Sequence, residues 1–245
     1  IFKNAKPLFV SMKVSLVSSR ITLFDEGRGE YIMTLTQAQQ FAIDHIERYA
    51  AQHKQDAQAT IQHLLNMSNI TDDVYHSAVH KLKTHSQIAL HFHPDRPNSS
   101  MVSIAEALFQ EGIYKSQFET LLSNGSVSAY PGGLRDRWEE LLFGGAYQIK
   151  GTNLNERAKY GALNILNHAD GPAPRFGSCY FLLKSEVSNR ATFTYLDSHQ
   201  NPKEKGTLRE FDMILAALLE EIFTRDFALG EHNLMLGSFI QHLFH

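Results

Sequence analysis

The spacing of apolar residues changes near Ile88, and this change constrains the fold more than any other feature of the sequence. Between residues 36 and 84, apolar residues recur three and four positions apart in three segments, which predicts three helices. From Ile88 to His93 apolar and polar residues alternate, which predicts a strand that ends at Pro94. We therefore expect a helical front followed by a region that contains strands.

The rest of the chain mixes predicted strands and helices. Strands are expected within residues 178–183 and 191–196, and a helix is expected to begin with Ser100 as its N-cap. Further helices are predicted over residues 135–142 and 208–223, and a short strand or packed arm within residues 6–21. The predicted fold class is α+β with a small, mainly antiparallel sheet. We expect residues 1–84 to form a helical front region and residues 85–245 to form an α+β domain. In the alternative, the two regions form one continuous domain.

Composition excludes several classes of protein. The 245 residues are 43% hydrophobic, which is enough for a core, and the net charge of -3 predicts no nucleic-acid partner. Cys179 is the one cysteine, so an intramolecular disulfide and a multi-cysteine zinc site are both excluded. No apolar run approaches the length of about 20 residues that a membrane span needs. Because the chain begins with Ile1, we expect it to be a piece of a larger polypeptide.

The segment from His91 to Arg96 allows three interpretations. Its His-Pro-Asp triplet is similar to the motif of J-domain co-chaperones, although the basic helix that such a domain needs is only weakly present. Alternatively, His91 and His93 lie two positions apart on a strand, where both imidazoles face one side and can bind a metal. Further metal ligands would come from His168, Asp170, Asp197 and His199. In the third interpretation, Arg96 or a histidine binds a phosphate-bearing ligand.

Three later segments carry further candidates. Residues 156–164 place two cations before Tyr160 and Gly161, so that Tyr160 either stacks on a planar base or only packs, while Gly161 lets a ligand approach the backbone. In residues 174–181 we expect Cys179 to be a buried thiol rather than a nucleophile. The predicted strand over residues 191–196 is followed by Asp197, which either stabilises a developing sugar cation or caps its own backbone.

Taken together, these segments resemble a bacterial domain family of unknown function. The resemblance rests on HFHPDR at residues 91–96, YGALN at 160–164, GPAPRFGSCYF at 171–181 and ATFTYLDSH at 191–199. The chain also looks like an effector domain of a multifunctional autoprocessing repeats-in-toxin (MARTX) protein. This resemblance implies secretion as part of a larger toxin, action in the host cytoplasm, and a host small GTPase or other signalling protein as partner.

The order of these motifs is also similar to that of ADP-ribosyltransferases. The resemblance implies that Arg96 or His93 holds NAD, that Tyr160 or Ser178 shapes the pocket, and that Asp197 is the acid that drives cleavage. The chain departs from that family because it has no Ser-Thr-Ser triplet and no Gln-x-Glu or Glu-x-Glu pair before the late acid. This departure puts protein modification in doubt more than NAD hydrolysis.

The resulting hypothesis is a toxin effector that cleaves the nicotinamide–ribose bond of NAD without a metal, and a host protein is a candidate activator. The expected catalytic residues are Arg96, Asp197 and His199, and the expected NAD-binding residues are His91, His93, Tyr160, Gly161, Ser178 and Tyr180. Two alternatives stay open. One is a metal-dependent hydrolase that uses His91, His93, Asp197 and His199, and the other is a non-enzymatic module that binds a host protein.

Overall fold

A computed structural model describes residues 12–16, 21–22, 34–122, 127–197, 200, 202–225 and 227–243. Its helices are α1 (Gln37–Gln52), α2 (Lys54–Met67), α3 (Asp72–His85), α4 (Ile104–Glu111), α5 (Gln117–Thr120), α6 (Leu134–Phe143), α7 (Asp212–Arg225) and α8 (Leu236–His242). The three predicted front helices are confirmed. The first begins after Thr36, whose hydroxyl accepts the Gln39 backbone N–H while the Gln39 side chain accepts the Thr36 N–H.

Six of the strands that the structure describes form one antiparallel sheet. They are β1 (Lys13–Leu16), β2 (Ile21–Thr22), β3 (Gln87–Phe92), β4 (Ile113–Tyr114), β5 (Lys159–Asn164), β6 (Cys179–Leu182), β7 (Ala191–Thr194), β8 (Lys205–Thr207), β9 (Phe227–Ala228) and β10 (Glu231–His232). The main sheet has the order β6-β3-β5-β1-β7-β8, and β2 with β4 and β9 with β10 form two-stranded pairs. The predicted α+β class with a small antiparallel sheet is confirmed.

Strand β1 lies in the middle of the main sheet, although it comes first in the chain. Its residues pair with β5 on one side and with β7 on the other, with Leu16 opposite both Lys159 and Ala191. Helix α2 packs against α7, so residues before and after position 84 share one apolar core. This core contains Ile61, Leu65, Leu82, Ile88, Phe193, Phe211 and Leu218, all less than 5% exposed.

The two faces of the sheet carry different helices. Tyr160 and Leu163 are three positions apart in β5 and therefore face opposite sides. Leu163 belongs to the large core under α2 and α7, whereas Tyr160 packs against a smaller core that α1 and α6 provide. The second face also bears buried polar residues, among them His91 in β3 and Thr192 in β7. No helix among the described residues is long and apolar enough to cross a membrane.

Two local predictions were wrong. Helix α4 begins at Ile104 with Ser103 as its N-cap, not at Ser100, because the Asn98 side chain accepts the backbone N–H groups of Ser100 and Val102 and holds that segment in a turn. Cys179 is exposed rather than buried. It begins β6, which is an edge strand of the sheet and has half-buried to exposed residues along its length.

Candidate functional site

His91 fastens a loop to the sheet with both nitrogens of its ring. The backbone N–H of Ala173 donates to Nε2 at 3.2 Å, which places the ring proton on Nδ1, and Nδ1 then donates to the carbonyl oxygen of Gly177 at 2.9 Å. The side chain is 3% exposed, and its ring centroid lies 5.0 Å from that of Tyr180. Such a ring positions its neighbours, and it would have to give up a buried hydrogen bond to bind a metal or NAD.

The glycines of the same loop explain why the segment from Gly171 to Gly177 lies so close to β3. A Cβ atom on Gly177 would lie 2.0 Å from the carbonyl oxygen of Phe92, and one on Gly171 would lie 2.7 Å from the His91 ring. Both glycines also have positive φ angles, of +144° and +73°. The loop is therefore held against the sheet, and this fixes the two residues at its tip, Arg175 and Phe176.

Arg175 makes an ion pair with Asp197, the acid that the sequence singled out. An Arg175 Nη2 hydrogen donates to Asp197 Oδ2, and the guanidinium lies 4.6 Å from the centroid of the Phe176 ring. The Arg175 side chain is 43% exposed and the Asp197 side chain 17% exposed, so a ligand can reach the pair. Arg175 was not among the residues that the sequence pattern predicted for the site, although an arginine in a loop bounded by two glycines was the available signal.

Arg135, near the start of α6, lies within electrostatic range of this acid. Burial lowers the pKa of Arg135, while nearby Tyr160, Glu139 and Asp197 raise it. Its Nε donates to the carbonyl oxygen of Val127 at 3.1 Å, which holds the guanidinium in place. Arg135 is thus a second cation, besides Arg175, within electrostatic range of two residues of the predicted site, Tyr160 and Asp197.

Tyr160 has its hydroxyl in a buried polar network under α6. The hydroxyl donates to Glu139 Oε1 at 2.7 Å, and Arg157 Nη1 lies 3.0 Å from Glu139 Oε2 and 2.6 Å from Asp136 Oδ1. Burial raises the pKa of Glu139 to about 7, against the opposing effects of Tyr160 and Arg157. The Tyr160 hydroxyl is therefore bonded within the protein, stacking of its ring on a ligand stays a prediction, and Glu139 is a buried acid that the sequence pattern did not indicate.

Gly161 has a steric reason for lacking a side chain. A Cβ atom at this position would lie 2.6 Å from the backbone carbonyl oxygen of Ala89 in β3. At this point β5 and β3 approach each other too closely for a residue that has a side chain. The close approach explains the glycine, and no ligand is needed to explain it.

Arg96 and His93 lie in the turn that follows β3. The carbonyl oxygen of Arg96 accepts the Ile104 N–H at 2.9 Å. The backbone N–H of Arg96 donates to the carbonyl oxygen of His93 at 3.4 Å. Strands β3 and β7 are related through three antiparallel pairings and run in opposite directions. Arg96 and Asp197 therefore follow strands that run in opposite directions, although the loop that carries Arg175 also contacts Phe92, the last residue of β3.

Of the other predicted residues, Tyr180 and Ser178 lie in or beside β6, and His199 lies outside the described part of the chain. Tyr180 contacts His91 and donates its hydroxyl to the Ala169 carbonyl at 3.1 Å, while Ser178 is exposed in the loop just before β6. Within the described ranges, no group of three or more His, Cys, Asp or Glu residues could hold a metal ion.

A family model described as "Protein of unknown function (DUF3626)" matches residues 87–245. The chain belongs to this family. The match begins at the first residue of β3 and covers every residue of the predicted site, whereas β1 at the centre of the sheet lies before it. No curated protein and no solved structure matches the chain. The resemblances to toxin effectors and to ADP-ribosyltransferases therefore stay predictions.

Proposed function

We propose that the protein cleaves the nicotinamide–ribose bond of NAD, with Asp197 as the carboxylate that stabilises the sugar cation. The observation that supports this proposal is the accessible ion pair of Asp197 with Arg175, which has Arg135 in electrostatic range. A carboxyl group paired with one arginine and within electrostatic range of a second offers what a dinucleotide needs, a negative group for the ribose and positive groups for the diphosphate.

The chemistry follows from how charge develops in the reaction. As the N-glycosidic bond breaks, nicotinamide leaves with the bonding electrons and the ribose becomes an oxocarbenium-like cation. Asp197 stabilises that cation, and water then attacks the ribose carbon and loses a proton. In the free protein Arg175 is bound to Asp197. A diphosphate that attracts Arg175 would release the carboxylate for the ribose, so substrate binding itself would complete the site.

The remaining residues of the site act at a distance in this proposal. His91 holds the loop that carries Arg175, and Glu139 with Tyr160 anchors α6, which carries Arg135. Arg96 and His93 follow β3, whose last residue, Phe92, contacts the loop at Gly177, and in this proposal they would bind another part of the ligand. The resemblance to toxin effectors adds action in a host cytoplasm and a host small GTPase as candidate activator.

The direct test is release of nicotinamide from NAD by the purified protein, with and without host-cell lysate. We expect release in at least one of the two, and release only with lysate would indicate a host activator. Asp197→Asn should lower the rate by about 100-fold or more, since an electrostatic stabiliser of the transition state is removed. Exposed Asp73 on α3, changed to Asn, is the matched control and should leave the rate unchanged.

Two outcomes would contradict the proposal. The first is a folded protein that releases no nicotinamide under either condition, which would favour the non-enzymatic binding module. The second is an Asp197→Asn variant with the wild-type rate. Loss of activity in excess chelator would instead support the metal-dependent hydrolase.

A further inference from the structure

A pocket opens beside α4. It holds about 760 Å³ of space, counting its open mouth. Its walls come from five elements, β3, α4, β4, α5 and β5, and of the described residues that line it none belongs to the loop from Gly171 to Gly177. Because several elements surround the space, the pocket is concave, and its shape suits a small molecule better than the flat surface of a protein partner.

Helix α4 turns its apolar side toward this pocket rather than toward a core. Ile104, Ala107 and Leu108 lie three and four positions apart, so they share one side of the helix, and all three line the pocket. Each of them is half-buried, and no residue of α4 is buried. A helix of a globular protein ordinarily buries such a side. This side of α4 therefore presents apolar surface that a ligand can reach and cover.

The wall of the pocket beyond α4 is also apolar and accessible. Ile113 in β4 and Leu122 after α5 line it, and both are half-buried. Phe92 and Tyr114 add aromatic side chains to the same lining. A ligand that covers both walls removes their apolar surface from water, and this is the main gain in free energy that the pocket offers.

The hydroxyl and ammonium groups of the lining are bonded within the protein. The hydroxyl groups donate to oxygen atoms of the protein, and they belong to Tyr114, Ser116, Thr120 and Tyr160. At the rim, Lys115 forms an ion pair with Glu111. Lys159 is 1% exposed, and its ammonium group donates to the Asn155 carbonyl oxygen. The cations of the lining are thus paired at the rim or buried, so the loss of water by a charged ligand would disfavour its binding.

We propose that this pocket binds a small neutral molecule that is mainly apolar. Its apolar part covers Ile104 and Leu108 on α4 and Ile113 on the facing wall, and a polar end lies in water at the mouth. A charged molecule of the same length would cover the same walls, but it would bring an unpaired charge beside them. The pocket therefore selects its ligand by apolar surface and by the absence of charge.

Isothermal titration of the full chain with 1-octanol and with octanoate at pH 7 tests the proposal. The two probes have the same number of carbon atoms, and only octanoate is charged at this pH. We expect octanol to bind about tenfold tighter or more, since the carboxylate would lose water without gaining a partner. Absence of octanol binding, or octanoate binding that is as tight as that of octanol, would overturn the proposal.

Two matched pairs of variants on α4 locate the ligand. Leu108 lines the pocket, whereas the neighbouring Phe109 is 79% exposed and lies outside the lining. Leu108→Asn should weaken octanol binding by about tenfold, and Phe109→Asn should leave it unchanged. Ala107→Phe should abolish binding because the larger side chain fills the space. Ala105→Phe, at an exposed position outside the lining, should bind octanol as the wild type does.

These variants should all fold, because no residue of α4 is buried, and circular dichroism checks this. Undiminished octanol binding by Leu108→Asn or by Ala107→Phe would place the ligand elsewhere and overturn the proposal. An equal loss of binding in the two control variants would overturn it as well, since the lining would then have no special role. None of these titrations contains NAD, so this proposal and the proposed NAD cleavage succeed or fail separately.

Discussion

The Nδ1 nitrogen of His91 lies 2.9 Å from the carbonyl oxygen of Gly177, and this bond ties a loop to a strand that lies 86 positions away in sequence. The opposite ring nitrogen accepts the Ala173 N–H. Since the loop carries Arg175, a histidine in the sheet determines where the cation next to Asp197 is placed.

Replacing His91 with alanine should destabilise the fold. Two buried hydrogen bonds and a packed ring are lost, and the Ala173 N–H and the Gly177 carbonyl lose their partner, which together should cost about 2–4 kcal/mol. Urea unfolding measures this free energy. His63 on α2 is exposed, and His63→Ala should change stability by less than about 0.5 kcal/mol. Equal effects of the two variants would show that the His91 bonds do not stabilise the fold.

Gly161→Ala should also destabilise the protein, because its Cβ would meet the Ala89 carbonyl oxygen at 2.6 Å. Separating the two strands to relieve this contact should cost about 1–3 kcal/mol. At Gly237, in α8, a Cβ would meet nothing within 4 Å, and Gly237→Ala should be neutral or stabilising because alanine favours a helix. Thermal unfolding of both variants gives the comparison. An unchanged melting temperature for Gly161→Ala would mean that a side chain is tolerated there.

Glu139 should make the stability depend on pH near neutrality. Its pKa is about 7 in the folded protein, against an ordinary value of 4.5, so the folded state holds this proton more tightly than the unfolded state does. Stability should therefore fall as pH rises from 4.5 to 7, by about 3 kcal/mol from this group. Relative to Glu139→Gln, the wild type should lose that amount between pH 4.5 and pH 7.5 in urea unfolding.

The neighbouring Glu140 provides the control for this pH effect. It is exposed on the same helix, and Glu140→Gln should follow the wild-type pH profile. Parallel profiles for the wild type and Glu139→Gln would show that the pKa of Glu139 is not raised.

Arg175→Gln should weaken NAD binding if the proposed function holds. A cation that binds the diphosphate is lost, so KM should rise by about tenfold, while stability should change by less than about 1 kcal/mol because the pair with Asp197 is partly exposed. Steady-state nicotinamide release measures KM. Arg137 is exposed on α6, and Arg137→Gln should keep the wild-type KM. A normal KM for Arg175→Gln would remove the arginine from the binding site.

Some of these features were predictable because they depend on neighbours in sequence. The front helices followed from apolar spacing and the Thr36 cap, and β3 followed from alternation before Pro94. Asp197 stood out because polar residues cluster after a strand. Glu139 did not, since a Trp-Glu-Glu sequence on a helix indicates a solvated surface, and only contact with Tyr160 and Arg157 reveals that it is buried.

The sequence by itself determined the three front helices, strand β3, the α+β class and the acid that follows β7. These properties come from the periodicity of side chains along the chain, which acts over a few residues. Tertiary structure alone decided that β1 lies at the sheet centre, that Arg175 is the partner of Asp197, and that the strands before Arg96 and Asp197 run in opposite directions. Each of these depends on which distant strands pair, and strand pairing is set by packing of the whole core rather than by local spacing.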